Sequence, residues 1–204
     1  MNNRRRTRKL PVILEREELE AMILLPNTRY LTSLRNKAIM KIMANCGLRV
    51  SEVVNLRPGD VNLTKGKLRV VNGKGGVDRE IPFKTYEGLI AILKKWKDRK
   101  PSSDYFFCTI RDNSKGKFKS SKGSKLAVRT VQAMIPNYAK RAGINKPVTP
   151  HTFRHTFATD YYRKTKDLEA LRKVLGHADI GTTQIYVTLA NIDVENGMSQ
   201  REEF

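Results

Sequence analysis

The chain has 204 residues, with Lys+Arg 40 against Asp+Glu 20 and a formal net charge of +20. That length supports one well-packed domain, or one with a small appendage, and the charge selects a polyanionic partner, nucleic acid first, although a ribosomal or membrane-surface role fits charge alone. Cys46 and Cys108 lie far apart and in no CxxC arrangement, which speaks against a disulfide scaffold or zinc cluster, and no stretch approaches a membrane span, so the expected compartment is the cytoplasm.

The N-terminal MNNRRRTRKL is followed by EREELE instead of an apolar signal core, so Arg4, Arg5, Arg6, Arg8 and Lys9 read as a flexible basic arm over residues 1–9. A short helix is predicted from Glu15 to Leu25, ended by Pro26. The next is clearer: Leu31, Leu34, Ala38, Ile39, Ile42, Met43 and Cys46 recur at helical spacing and mark a core stripe. Gly47 stops that helix, and SEVVNL begins a short one with Ser51 as its expected N-cap, ended by Arg57, Pro58 and Gly59. Arg49 therefore falls at a helix junction.

Residues 61–83, VNLTKGKLRVVNGKGGVDREIPF, change character. β-branched runs separated by TKG and NGKGG predict a three-stranded antiparallel meander with Lys74 in its second turn. A helix from Thr85 to Asp98 follows, with Leu89, Ile92, Leu93 and Trp96 on one face. After YFFC, read as a short buried segment, Arg111, Lys115, Lys117, Lys119, Lys122 and Lys125 face the single acid Asp112 in a Gly/Ser/Lys loop suited to phosphate contact. The remainder is helical: Ala127 to Arg141 with an interruption near Pro136, Pro150 to Lys164, and Asp167 to Leu175 with Leu168, Leu171, Val174 and Leu175 as its apolar face. Thr149 before Pro150 is a start signal, a capping hydroxyl and then proline at the first helical position. The fold class expected is mainly α with one small sheet.

His151 and Arg154 are three apart near that helix start and share a face. Two arginines, Arg49 and Arg154, can jointly hold the non-bridging oxygens of one phosphate through planar, permanently charged forks. The competing reading is a zinc site of His151, His155 and His177, since histidines at i and i+4 have a zinc spacing. It is disfavoured, because Arg154 would stand beside the dication and no glutamate completes a zincin pattern. His155 is then read as a hydrogen-bonded structural histidine. Tyr186 carries a phenol that is protonated at neutral pH unless its surroundings activate it.

In chain order, GLRVSEV, GKGG in a hairpin, TPHTFRHTFAT and VLGHADIGTTQIYV resemble the catalytic domain of the tyrosine recombinase (phage integrase) family. The resemblance runs from Leu10 to Leu189. It implies that fold, a catalytic domain over 10–189, a C-terminal tail over 190–204, and a chain beginning at the catalytic domain without a preceding core-binding domain. It further implies a site-specific DNA recombinase or integrase that acts on double-stranded DNA as a homotetramer on paired sites, needs no metal or cofactor and does not engage a membrane.

Residue by residue, Tyr186 is implied as the nucleophile that forms a 3′-phosphotyrosyl bond and frees a 5′-hydroxyl. Arg49, Arg154 and His177 are implied to stabilise the phosphorane, Lys74 to protonate the leaving oxygen and His151 to take the tyrosine proton, with Glu52 orienting an arginine. The link RKTKDLEAL lacks the family's usual glycine after the HxxR helix. Two other readings stand beside the first: a type IB topoisomerase-like DNA relaxing enzyme, and a DNA-binding accessory protein without cleavage.

Overall fold

The computed structural model describes residues 10–71, 78–112, 120–176 and 185–191. The arm over 1–9, Lys74, Lys115, Lys117, Lys119, His177 and the tail from residue 192 lie outside the described residues. The helices are α1 (Arg16–Leu24), α2 (Leu31–Cys46), α3 (Val50–Asn55), α4 (Glu87–Arg99), α5 (Val128–Arg141), α6 (Pro150–Thr165) and α7 (Leu168–Leu175), and the strands are β1 (Val61–Asn62), β2 (Lys67–Val70) and β3 (Arg79–Pro82). Residues 185–191 are helical as well.

Helix α2 is central because its apolar stripe is wide. Leu34, Ala38, Ile39, Met40, Ile42, Met43 and Cys46 are all fully buried, and the helix packs against both α4 and α6. Gly47 ends it in the left-handed conformation (φ 61°), and a Cβ there would stand 2.3 Å from a ring carbon of Phe157 in α6. Only glycine meets both demands. The expected YFFC segment is buried, with Phe106, Phe107 and Cys108 fully covered and the Trp96 indole N–H donating to the Phe106 carbonyl at 2.8 Å.

Two local expectations are corrected. Ser51 is not the cap of α3: Arg49 occupies that position and Glu52 reaches back to its backbone N–H at 2.7 Å, leaving Ser51 inside the helix and exposed. Nor does Pro136 interrupt α5, which runs unbroken through it. Val131, Ile135, Tyr138 and Ala139 bury one face, while Pro136 lies on the exposed face, where the carbonyl it leaves unpaired can be hydrated. Lys166, in the link without glycine, makes the left-handed turn after α6 (φ 55°) as the one non-glycine described residue with positive φ.

The meander is antiparallel in the order β1-β2-β3, with Leu68 opposite Ile81 and Val70 opposite Arg79. The period of two sets which side chains turn inward: Leu68 and Val70 from β2, Arg79 and Ile81 from β3. An arginine is thereby carried into the interior, where β3 meets α7. A second, smaller apolar cluster of Phe157, Ala158, Leu171, Leu175, Tyr186 and Leu189 joins α6, α7 and the helical residues 185–191.

Candidate active site

The site is assembled on one buried carboxylate. The left-handed turn at Gly47 swings the chain so that Arg49 precedes α3, and one helical turn on, Glu52 points back beneath it. Glu52 Oε2 accepts from the Arg49 backbone N–H at 2.7 Å and Oε1 from Arg49 Nη1 at 3.0 Å. From β3, Arg79 adds a bidentate fork, Nη1 to Oε1 at 3.0 Å and Nη2 to Oε2 at 2.9 Å. From α6, Arg154 brings Nη1 to 3.9 Å of Oε2. Burial alone raises the Glu52 carboxyl, but the hydrogen bonds and charge of Arg79, the Arg49 N–H and the charge of Arg154 together bring it below the ordinary carboxylate value.

Arg154 is only 4% exposed and is fixed by two carbonyls distant in sequence, Nη1 to Gly47 O and Nη2 to Leu175 O, both at 2.7 Å. Arg79 Nε donates to the neighbouring Val174 O at 2.6 Å. Two guanidiniums thus cap the C-terminal end of α7, where the helix dipole is negative and carbonyls lack intrahelical donors. Burial and the charge of Arg49 lower Arg154 to about 10, against the opposing pull of Glu52, so it remains a cation at neutral pH. The Arg49 side chain keeps 36% of its surface exposed and so can reach a ligand.

Tyr186 is buried, 2% exposed, in the smaller apolar cluster. Its hydroxyl lies 3.1 Å from His155 Nδ1. Burial raises its pKa, partly offset by the nearby charges of Arg154 and Arg49. His155 is lowered to about 4 by burial and by the neighbouring His151 and Arg154, so its ring is neutral at pH 7. With its proton on Nε2, Nδ1 is free to accept from the phenol. In this arrangement the nucleophilic candidate is protonated, covered and bonded to a histidine.

An NMR titration should therefore find one of the three imidazoles neutral down to about pH 4, and His155→Gln should remove that resonance. Three imidazoles all titrating near the ordinary value of about 6.5 would contradict the contact.

Of the residues singled out from sequence, Arg49, Glu52 and Arg154 converge directly, and the charges of Arg49 and Arg154 reach the Tyr186 phenol. His151 is exposed on the first turn of α6, its ring 6.5 Å from that of His155. His155, read as a structural histidine, is hydrogen-bonded as expected, and its partner is Tyr186. Lys74 and His177 lie outside the described residues. Sequence reasoning missed Arg79. The available signal was its phase with Ile81 and Phe83 on the inward face of the strand, where a lone arginine needs a buried anion.

A sequence model of the phage integrase family matches residues 13–191. The tyrosine recombinase XerD of Ralstonia nicotianae is 36% identical over 187 residues, covering 89% of this chain and 57% of XerD. Tyrosine recombinase XerA of Pyrococcus horikoshii is 38% identical over 187 residues, covering 91% of this chain and 60% of XerA. The chain thus spans less than two thirds of the length of these relatives. The crystal structure of XerH site-specific recombinase bound to palindromic difH substrate, a post-cleavage complex, matches with a TM-score of 0.76 at 29% identity, covering 96% of this chain and 54% of XerH.

Proposed function

Because the chain belongs to the phage integrase family, we propose that it is a site-specific DNA recombinase that cleaves and religates DNA through a 3′-phosphotyrosyl intermediate on Tyr186. The observation that carries this is the convergence of Arg49 and Arg154, distant in sequence, on Glu52 and within electrostatic reach of the Tyr186 phenol. A phosphodiester attacked by an oxygen nucleophile gains negative charge on its non-bridging oxygens. Two guanidiniums, Arg154 fixed by backbone carbonyls and Arg49 held by Glu52, stabilise that charge with little reorganisation.

Tyr186 Oη attacks the phosphorus and gives up its proton, for which His151 is the proposed acceptor, because His155, although 3.1 Å from the phenol, is too weakly basic with its pKa lowered to about 4. The P–O5′ bond breaks, Lys74 protonates the departing oxygen, and His177 donates to a non-bridging oxygen. The covalent phosphotyrosine retains the energy of the broken bond, so a 5′-hydroxyl can reverse the step on the same or another strand without a nucleotide cofactor. Exchange between two duplexes calls for four protomers on paired sites. The full chain incubated in excess EDTA with a nicked duplex, its sequence taken from DNA trapped covalently on the protein in extract, should yield an adduct stable to denaturant. No adduct, or one abolished by chelation, would refute the reading.

The role of Lys74 has its own test. An alkoxide needs a proton to leave at neutral pH, and a general acid typically contributes about 10²–10⁴-fold. Lys74→Ala should cleave ordinary DNA slowly and recover on a 5′-phosphorothiolate, because a thiolate leaves unprotonated. Arg49→Ala and Arg154→Ala should not recover equally. Rescue of Lys65→Ala or Lys67→Ala, with Lys74→Ala still inactive, would place the acid on another lysine of the meander.

A further inference from the structure

Arg79 belongs to the charge network, yet no step above uses it. It is buried, and its guanidinium forks both oxygens of Glu52 while Nε donates to Val174 O at the end of α7. A structural ion pair would account for the contacts alone. The charge balance asks for more. Three guanidiniums share one carboxylate, an excess of two positive charges beside a phenol that must meet a phosphate.

The partition of contacts is uneven. Arg79 holds both carboxylate oxygens within 3.0 Å, whereas Arg154 stays 3.9 Å away and spends its short bonds on backbone carbonyls. Without Arg79, a buried carboxylate would be left partly unpaired, and Arg154 is the cation beside it. Desolvated charges find partners, so Glu52 would close on Arg154, neutralising it and drawing it from the substrate side.

Building on the recombinase reading, we infer that Arg79 is a positioning residue: by occupying Glu52 beside Arg49 it keeps the carboxylate from closing on Arg154 and leaves the charge of Arg154 for the scissile phosphate. Its bond to Val174 O fixes the same helix end that Arg154 holds through Leu175 O, so the two guanidiniums share one frame. The substrate-facing excess of positive charge then depends on a residue that never touches the substrate.

The test compares single-turnover cleavage of the prebound nicked duplex by wild type, Arg79→Met and Arg79→Met/Glu52→Gln. Arg79→Met should bind DNA as tightly as wild type and cleave roughly 10–100-fold more slowly, the scale of a misplaced transition-state donor. The double variant removes the freed carboxylate charge and should regain most of that loss. On a duplex with a methylphosphonate at the scissile position, which carries one negative charge fewer, the Arg79→Met defect should shrink. A structural defect would be the same on both duplexes.

Wild-type rates for Arg79→Met, or a defect unchanged by Glu52→Gln and by the methylphosphonate, would overturn the inference. If Arg79→Met does not fold, the double variant decides: cleavage within about tenfold of wild type supports it, and slower cleavage overturns it. A wild type that forms no adduct would instead refute the underlying recombinase reading.

Discussion

Tyr186→Phe is expected to bind DNA as the wild type does and to form no covalent complex. The ring remains in its apolar cluster with Phe157, Leu171 and Leu175, so packing is preserved. What is lost is the hydroxyl and its bond to His155. That bond contributes about 0.5–1.5 kcal/mol to stability, too little to unfold a domain. On the proposed mechanism the reaction, in contrast, loses its nucleophile, and no other group is expected to take over the attack. The arginine variants differ in kind: removal of one preorganised donor typically slows a reaction by about 10²–10³-fold and leaves a measurable rate. Adduct formation by the phenylalanine variant, at any rate above background, would move the nucleophile elsewhere.

Glu52→Ala should be the most damaging change to stability, by about 3–5 kcal/mol in urea unfolding, because it strands the buried guanidiniums of Arg79 and Arg154 beside each other. Against a typical total of about 5–15 kcal/mol, that leaves a marginal protein. The pH dependence has a definite sign. The folded carboxyl sits below its ordinary value, so its stabilisation is complete above the usual carboxylate range and is lost as pH falls through the lowered folded value. Acid should destabilise the wild type more steeply than Glu52→Gln, which has no carboxyl there to protonate. A loss under about 1 kcal/mol for Glu52→Ala, or equal acid sensitivity of wild type and Glu52→Gln, would count against the hub.

The legible parts of this protein are those set by local rules or short motifs. The α2 stripe, the Thr149 and Pro150 helix start and the meander follow from periodicity, capping and turn chemistry over a few residues. That Arg49, Glu52 and Arg154 belong to one site was implied by the resemblance of the motifs around them to the tyrosine recombinase family, since spacing alone does not bring residues so far apart in the chain together. Arg79 was not implied. Its burial depends on strand register, and its value depends on a carboxylate from α3 and a carbonyl from α7 arriving at the same place.

Pro136 shows the reverse failure, a sound local rule overridden when tertiary packing holds the helix and the free carbonyl faces water. The Tyr186 contact with His155 was likewise hidden. Its distance is fixed by how residues 185–191 return onto α6, and spacing along the chain carries no record of that.

The covalent step is tested most directly by isolating the protein–DNA adduct formed in EDTA, digesting both components and identifying the linked peptide by mass spectrometry. The account predicts a DNA 3′-phosphate esterified to Tyr186, with a free 5′-hydroxyl on the released strand. Attachment to any other residue, or to a 5′-phosphate, would contradict it.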